Sequence, residues 1–195
     1  MDADVLLTLG DQQIPGKGAD GTFETNDDCT GSGKFRVPVL NNLEITYNFI
    51  ATDGGEQIEL LNTNANVVLH GVGRRISKPG AAPRCNNAMV LGTYGYRFDG
   101  SIPNVPFMAI SGTFTHAIGG TWKGSDTLNL MGQYFARNNK GTYKLERNCR
   151  GTGFYTDNLG NSINYVFVVV DGGDTLYLQG ADPGIKVSGV GRRIR

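Results

Sequence analysis

The sequence has few features that would mark a nucleic-acid-binding protein or a membrane helix. Its 195 residues contain 18 basic and 18 acidic side chains, so the formal net charge is zero. A neutral chain disfavours nucleic acid as a partner, because that binding depends largely on Lys and Arg neutralising phosphates. The longest apolar run, at residues 165–170, is far shorter than the roughly 20 residues of a membrane span. We therefore expect no nucleic acid and no membrane span.

Motifs of catalysis and metal binding are also scarce. There are two histidines, His70 and His116, and three cysteines, none with the spacing of a zinc site. No Gly-x-Ser-x-Gly nucleophile motif occurs. Residues 16–21 have Gly-x-Gly-x-x-Gly spacing but lack the helix that follows in a dinucleotide site, so we interpret them as a loop. The sequence thus predicts no metal and no cofactor.

Glycine, in contrast, is abundant, and many of the 29 glycines belong to an internal repeat. Residues 71–76 and residues 189–194 both read Gly-Val-Gly-Arg-Arg-Ile. Further matches about 120 residues apart, in the same order, are Asp53-Gly54-Gly55 with Asp171-Gly172-Gly173, Cys29 with Cys149, Gly21-Thr22-Phe23 with Gly141-Thr142-Tyr143, and Asp4 with Asp126. The chain therefore contains two copies of one unit.

The second copy begins further upstream than the first. Residues 91–122 precede Asp126, and nothing in the first copy corresponds to them. We therefore expect the first copy to lack about two opening strands, which favours missing upstream sequence. The chain starts without a basic segment followed by an apolar core, so no signal peptide is visible.

Apolar and polar residues alternate along almost the whole chain. Tyr94, Tyr96 and Phe98 share one face of their segment, for example, and Arg97 lies on the other. This period of two is typical of half-buried antiparallel strands. We predict six strands in the first copy, near 4–9, 21–26, 31–37, 43–51, 56–62 and 67–75. We predict eight in the second copy, near 91–99, 106–116, 121–131, 141–147, 151–156, 162–171, 174–180 and 185–194.

Eight short antiparallel strands joined by tight turns predict an all-β fold of tandem up-and-down β-barrels, the first lacking its opening strands. Glycines within strands, such as Gly95, Gly112 and Gly153, favour the barrel because strong coiling needs positions without a side chain. A β-sandwich is the alternative, because it shares this strand pattern.

We place the domain boundary in the Pro- and Gly-rich segment between the copies. Residues 1–78 form the first repeat, residues 79–84 the linker, and residues 85–195 the second repeat. We interpret the segments 43–50 and 163–170 as strands buried on both faces. A free barrel would expose its outer face to water, so we expect packing between the copies or self-association through these outer strands.

The segment from Cys85 to Tyr96 resembles a pattern of Gly-rich exported bacterial repeat proteins. The matching pieces are Cys85, Gly92-Thr93-Tyr94-Gly95-Tyr96, Gly141-Thr142-Tyr143 and Cys149-Arg150-Gly151-Thr152, with Gly21-Thr22-Phe23 and Cys29-Thr30-Gly31 in the first copy. The resemblance covers the second copy fully and the first from its third strand. That family brings no established activity. The resemblance implies export and a disulfide between Cys85 and Cys149.

The residues alone leave two states of the cysteines open. A disulfide would indicate an oxidising compartment, hence a secreted or periplasmic protein, with Cys29 left unpaired. Three free buried thiols in a cytoplasmic protein are the alternative.

At a coarser level the layout is similar to the lipocalin and allene oxide cyclase-like barrels. Lipocalins open with Gly-x-Trp and close with an arginine that packs over that ring. The resemblance implies that Arg192 or Arg193 packs over Tyr94 as a cation–π lid.

Four aromatic residues, Tyr94, Phe98, Trp122 and Tyr143, alternate onto single strand faces. If those faces point inward, the residues line an apolar cavity suited to a small hydrophobic molecule. We therefore predict them as ligand-binding residues, and binding of such a molecule is the first functional hypothesis. A core filled by its own side chains is the alternative.

The second hypothesis is a cofactor-free cyclase or isomerase, as in the allene oxide cyclase-like barrels. Its candidate catalytic residues are Tyr96, His116 and Arg137, and whether the protein is an enzyme stays open. An inward polar cluster deep in an open cavity would favour the enzyme, and a purely apolar or filled interior would favour binding or structure. A secreted structural or interaction repeat is the third hypothesis.

Overall fold

The structure is a computed structural model that describes residues 2–9, 12–38, 41–65, 70–75 and 84–195, with side chains for residues 20–38, 41–65, 71–75 and 84–195. The fourteen described strands are β1 (Asp2–Leu9), β2 (Gln12–Thr25), β3 (Thr30–Val37), β4 (Leu43–Thr52), β5 (Gln57–Asn62), β6 (His70–Arg74), β7 (Gly92–Ile102), β8 (Val105–Ala117), β9 (Thr121–Leu130), β10 (Gln133–Leu145), β11 (Arg150–Asp157), β12 (Ser162–Val170), β13 (Thr175–Gly180) and β14 (Lys186–Arg193). Short 3-10 turns span Asp53–Gly55, Asn87–Val90 and Asp171–Gly173. The all-β prediction is confirmed.

The strands form two compact units. In the first unit, β1 to β6 form one sheet in chain order, with β1 and β6 at its edges among the described strands. In the second unit, β7 to β14 form a closed barrel, because β14 pairs with β7. Each strand of the barrel is antiparallel to its neighbours in the chain, so the predicted up-and-down barrel is confirmed and the sandwich is not found there. The division into residues 1–78, 79–84 and 85–195 stays a prediction.

Strand β10 begins at Gln133, eight residues before the predicted start near 141. The segment that we missed places Arg137 and Asn139 on the inward face, where sequence analysis expects apolar residues. Two buried polar side chains therefore concealed the alternation. Strand β2 likewise begins at Gln12 rather than near 21.

The repeat is visible in the backbone. Cys29 and Cys149 both have φ 66°, and Asp53 and Asp171 both have φ 52°. Each cysteine carbonyl accepts a hydrogen bond from the equivalent strand of its unit, from Ala51 N on β4 at 2.8 Å in the first unit and from Val169 N on β12 at 2.9 Å in the second. The two copies thus share local geometry as well as sequence.

Two glycines on β11 make room for aromatic rings on β12. Gly151 lies opposite Phe167, and Gly153 lies opposite Tyr165. A Cβ atom would stand 2.1 Å from the Phe167 ring at Gly151, and 2.2 Å from the Tyr165 ring at Gly153. The rings therefore lie directly over the glycine backbone, as the prediction from in-strand glycines requires. The first unit repeats this pairing, with Gly31 under Phe49 and Gly33 under Tyr47.

One end of the barrel, called here the closed end, is covered by the segment that precedes β7. The turn Asn87–Val90 lies there, and Val90 is fully buried. A disulfide joins Cys85 to Cys149, as the family resemblance implies. Among the described residues, Cys29 is free and exposed.

Tyr94 and Arg193 hold this closed end together. Tyr94 is fully buried and stacks on Phe114 with ring centroids 5.2 Å apart. The Arg193 guanidinium lies 5.4 Å from the Tyr94 ring centre, so it is Arg193 that provides the expected cation–π contact. It also donates to the carbonyl oxygens of Met89 and Leu91, at 2.6 and 2.8 Å.

The outer faces of β4 and β12 are only partly covered within each unit. Ile50 on β4 is 54% exposed, and Val166 and Val168 on β12 are half-buried. Packing of these faces against another copy stays a prediction. Of the helices in the described residues, none has the length and hydropathy needed to cross a membrane.

Candidate functional site

The interior of the barrel holds a cavity of about 70 Å³. Its apolar lining includes Phe98, Ile102, Met108, Ile163 and Ile185. Its polar lining includes Tyr96, Asp126, Arg137, Asn139 and Tyr155. The cavity therefore combines an apolar wall with one compact group of polar side chains.

Arg137 is the centre of this group. Its Nε and Nη2 donate to the two carboxylate oxygens of Asp126 at 2.8 and 2.9 Å, and its Nη1 donates to Asp157 Oδ2 at 3.1 Å. All three side chains are at most 3% exposed. Burial would lower the pKa of Arg137, but hydrogen bonds and charge from Asp126 outweigh burial and raise it. The guanidinium therefore stays charged inside the barrel.

Asp126 accepts hydrogen bonds from side chains on two other strands, β7 and β10. Asn139 Nδ2 donates to its Oδ2 at 2.7 Å, and the Tyr96 hydroxyl donates to the same oxygen. Burial, together with the negative charge of Asp126, raises the pKa of Tyr96 far above its ordinary value. Tyr96 is therefore a permanently protonated donor, and Asp126 is a saturated acceptor.

Asp157 joins the group to a turn at the other, open end of the barrel. Its Oδ1 accepts hydrogen bonds from the backbone N–H groups of Leu159 and Asn161, each at 2.9 Å. Burial acts to raise the pKa of Asp157, but these hydrogen bonds and the Asn161 side chain hold it below its ordinary value. Asp157 therefore stabilises the β11–β12 turn and also holds the Arg137 guanidinium in place.

Asn139 has the one unpaired acceptor of the described group. Its amide nitrogen faces Asp126, which fixes its orientation and turns its Oδ1 away from that carboxylate. Oδ1 is buried and has no hydrogen-bond partner among the described residues. A buried carbonyl oxygen without a partner costs free energy, and the side chain that carries this one lines the cavity.

The three candidate catalytic residues are only partly brought together. Tyr96 and Arg137 both bind Asp126. His116 lines the part of the cavity nearest the closed end, and its ring stacks on the Tyr143 ring with centroids 4.1 Å apart. Its Nδ1 lies 3.1 Å from the carbonyl oxygen of Val90. Burial lowers the pKa of His116 to about 4, so the ring is neutral near pH 7, and Nδ1–H is the donor to that carbonyl.

The four candidate ligand-binding residues also separate into two pairs. Phe98 and Trp122 line the cavity. Tyr94 and Tyr143 lie in the packed closed end and are not among the lining residues. Their hydroxyl groups are engaged there, Tyr94 with the carbonyl of Gly173 and Tyr143 with that of Ala117 at 3.2 Å.

Sequence analysis missed Asp126, Asn139, Asp157 and Tyr155 as members of the site. A signal was available on β10, where Arg137 and Asn139 are in phase with the inward residues Tyr143 and Leu145. Charged or amide side chains in phase with a buried face indicate an internal polar cluster, because such groups are buried only when they are paired.

No protein-family model matches the chain, and no curated protein matches it. Among solved structures, it is similar to a de novo designed fluorescence-activating β-barrel, at 14% sequence identity and a TM-score of 0.43. That similarity covers 55% of this chain and 96% of the designed chain. It carries no argument about function.

Proposed function

We propose that the barrel binds a small, mostly apolar molecule that carries one hydrogen-bond donor, such as a hydroxyl group. The observation that carries this proposal is the unpartnered Asn139 Oδ1 beside an apolar cavity. The apolar part of the ligand contacts Phe98, Met108 and Ile163, and the donor binds Asn139. This arrangement, an apolar pocket with one placed polar group, is common in small-molecule sites.

The size of the cavity limits the ligand. Pockets for drug-sized molecules measure roughly 300–1,000 Å³, and this one is about 70 Å³. A molecule of a few heavy atoms, or the polar end of a longer one, is the class that we expect. The aromatic residues of the closed end fill the remaining interior.

The repeat supplies an internal comparison for the polar group. The positions of Asp157 and Tyr155 are occupied by Val37 and Phe35 in the first copy. The same strand sequence thus accommodates apolar residues at these places. Because this strand folds without Asp157 and Tyr155 in the first copy, their presence in the barrel supports a role in the site.

The test compares phenol with toluene, which have similar shapes and differ by the hydroxyl group. Binding is measured by NMR chemical-shift changes, with the indole N–H of Trp122 as the reporter inside the cavity. We expect phenol to bind about 3- to 10-fold more tightly, the value of one neutral hydrogen bond. Asn139→Leu should abolish this preference, and the exposed neighbour Asn138→Leu should keep it. Equal affinities in the unaltered protein, or no binding of either, would contradict the proposal.

A cofactor-free isomerase or cyclase is the second candidate, favoured by the inward polar group itself. Arg137 keeps its positive charge beside the cavity, and the Tyr96 hydroxyl would turn from Asp126 to a substrate oxygen. Such groups stabilise a negative charge that develops on that oxygen. Conversion of styrene oxide to its isomer phenylacetaldehyde, followed by NMR, tests this candidate. We would expect Tyr96→Phe to remove such conversion. If styrene oxide is converted no faster than in buffer alone, this candidate is excluded and ligand binding stays the proposed function.

We also propose that the protein works in an oxidising compartment, as an exported member of the Gly-rich repeat family that its motifs resemble. The Cys85–Cys149 disulfide supports this location, because such bonds persist mainly outside the reducing cytosol. Detection of the oxidised pair by mass spectrometry in protein taken directly from its native compartment tests the location.

A further inference from the structure

Among the described residues, the six strands of the first unit correspond to β9–β14 of the barrel, and none corresponds to β7 and β8, which residues 84–117 supply. In the barrel this segment supplies β7 and β8, which pair with β14 and β9. The equivalents of β14 and β9 in the first unit are β6 and β1, the two edge strands of its described sheet. An edge strand presents unpaired N–H and C=O groups that can accept another strand.

The side chains that contact this segment in the barrel have counterparts that are exposed in the first unit. Cys149 is 1% exposed and bonded to Cys85, whereas its counterpart Cys29 is exposed and free. Tyr143 is 5% exposed beneath His116, whereas its counterpart Phe23 is 51% exposed. A thiol and an aromatic ring are thus uncovered at the places where the barrel binds its own hairpin.

The two units do not differ in the local geometry that positions these groups. Cys29 and Cys149 have the same φ, and the N–H of each donates to the residue three positions earlier, at 3.1 and 3.0 Å. Arg75, the counterpart of Arg193, keeps the equivalent ion pair, to Glu56 at 3.0 Å. The described part of this surface, called here the acceptor surface (Phe23, Cys29 and the edges of β1 and β6), therefore keeps the backbone geometry found in the barrel.

We propose that the first unit accepts a β-hairpin of the kind formed by residues 84–117, supplied by a polypeptide of the same repeat type outside these 195 residues. The hairpin pairs with β6 and β1 and closes a second barrel. The cysteine that precedes it forms a disulfide with Cys29, in which two thiols lose two protons and two electrons to the oxidised glutathione of the medium. This proposal does not depend on the ligand of the other barrel.

The test uses the full chain and a synthetic peptide with the sequence of residues 84–118, in a glutathione redox buffer. The adduct is located by intact mass and peptide mapping. We expect the peptide to bond to Cys29 at least about tenfold faster than a scrambled peptide, because binding raises the effective concentration of the two thiols. In a Cys29→Ser background, a Ser32→Cys variant should react equally with both peptides, because Ser32 is exposed outside the acceptor surface.

A second measurement keeps the test independent of the thiol. With Cys29→Ser, binding of the peptide should still slow hydrogen exchange at the backbone amides of β6. Equal reaction of the native and scrambled peptides at Cys29 would overturn the proposal. So would a Cys29–Cys29 dimer that the peptide does not reduce, since that would show a second copy as the occupant.

Discussion

Cys29 and Cys149 occupy the same turn with the same backbone angle, yet one is exposed and the other is buried in a disulfide. Phe23 and Tyr143 differ in the same way. The comparison of the two units shows that this turn keeps its conformation without the strands that segment 84–117 supplies. Burial, in contrast, depends on strands that only the barrel has, because Cys85 and His116 belong to the segment 84–117.

The interiors differ as well. In the barrel, Asp157 and Tyr155 face Arg137, whereas the first unit has a fully buried Val37 and a half-buried Phe35 at the equivalent positions. The repeat therefore fixes which positions point inward and leaves their chemistry free. At these two positions the polar side chains are present in the second copy only, whereas Asp126 has the counterpart Asp4 in the first copy.

Of the substitutions that test this comparison, loss of Arg137 should have the largest effect on the stability of the barrel. Arg137→Met leaves Asp126 without its ion-pair partner and is expected to destabilise the barrel by about 3–5 kcal/mol. Unfolding is followed by the fluorescence of Trp122, the single tryptophan, so the signal reports the second unit. Asp126→Leu combined with Arg137→Met should recover only part of the loss, because the buried Asp157 still lacks its arginine partner. The exposed Lys140→Met should change stability by about 0.5 kcal/mol or less. A loss under about 1 kcal/mol for Arg137→Met would show that the group is hydrated.

Loss of the Cys85–Cys149 disulfide should have the second-largest effect on the stability of the barrel. The disulfide closes a loop across a sequence separation of 64 residues, and replacing both cysteines by alanine is expected to cost about 2–4 kcal/mol in the same measurement. Cys29→Ala is the matched change in the other unit and should leave the Trp122 transition within about 0.5 kcal/mol. A shift of that transition by Cys29→Ala would instead mean that the two units unfold together.

The third expected effect is a pH dependence that His116 gives to the stability of the barrel. The pKa of His116 falls from 6.5 to about 4 on folding, so the unfolded chain binds an additional proton between these values. Stability should therefore rise by up to about 3 kcal/mol as the pH increases from 4 to 6.5, with no further contribution above 6.5. His116→Phe should remove this change of stability between pH 4 and 6.5, measured by the fluorescence of Trp122 during unfolding. His70→Phe should leave the change in place. An unchanged slope in His116→Phe would assign the pH dependence to other groups.

Much of the fold was predictable because it depends on local rules. The period of two located most strands, and the in-strand glycines indicated coiling that the rings of Tyr165 and Phe167 confirm. The candidate site was predictable only in part. Tyr96, Arg137, Phe98 and Trp122 do line the cavity, but Tyr94 and Tyr143 lie in the closed end. Alternation identifies which residues share a face, and it does not say how far along the barrel each one lies.

The sequence by itself determined the repeat, the alternating strands and the turn conformations, because these follow from neighbouring residues and from the steric limits of each backbone. Only the tertiary structure decided that Asp126, Arg137 and Asp157 meet. They come from β9, β10 and β11, and the pairing register places Arg137 directly opposite Asp126. Register and closure depend on hydrogen bonds between distant segments, such as β14 with β7. The same nonlocal pairing decides why one turn cysteine is buried and its repeat counterpart is free.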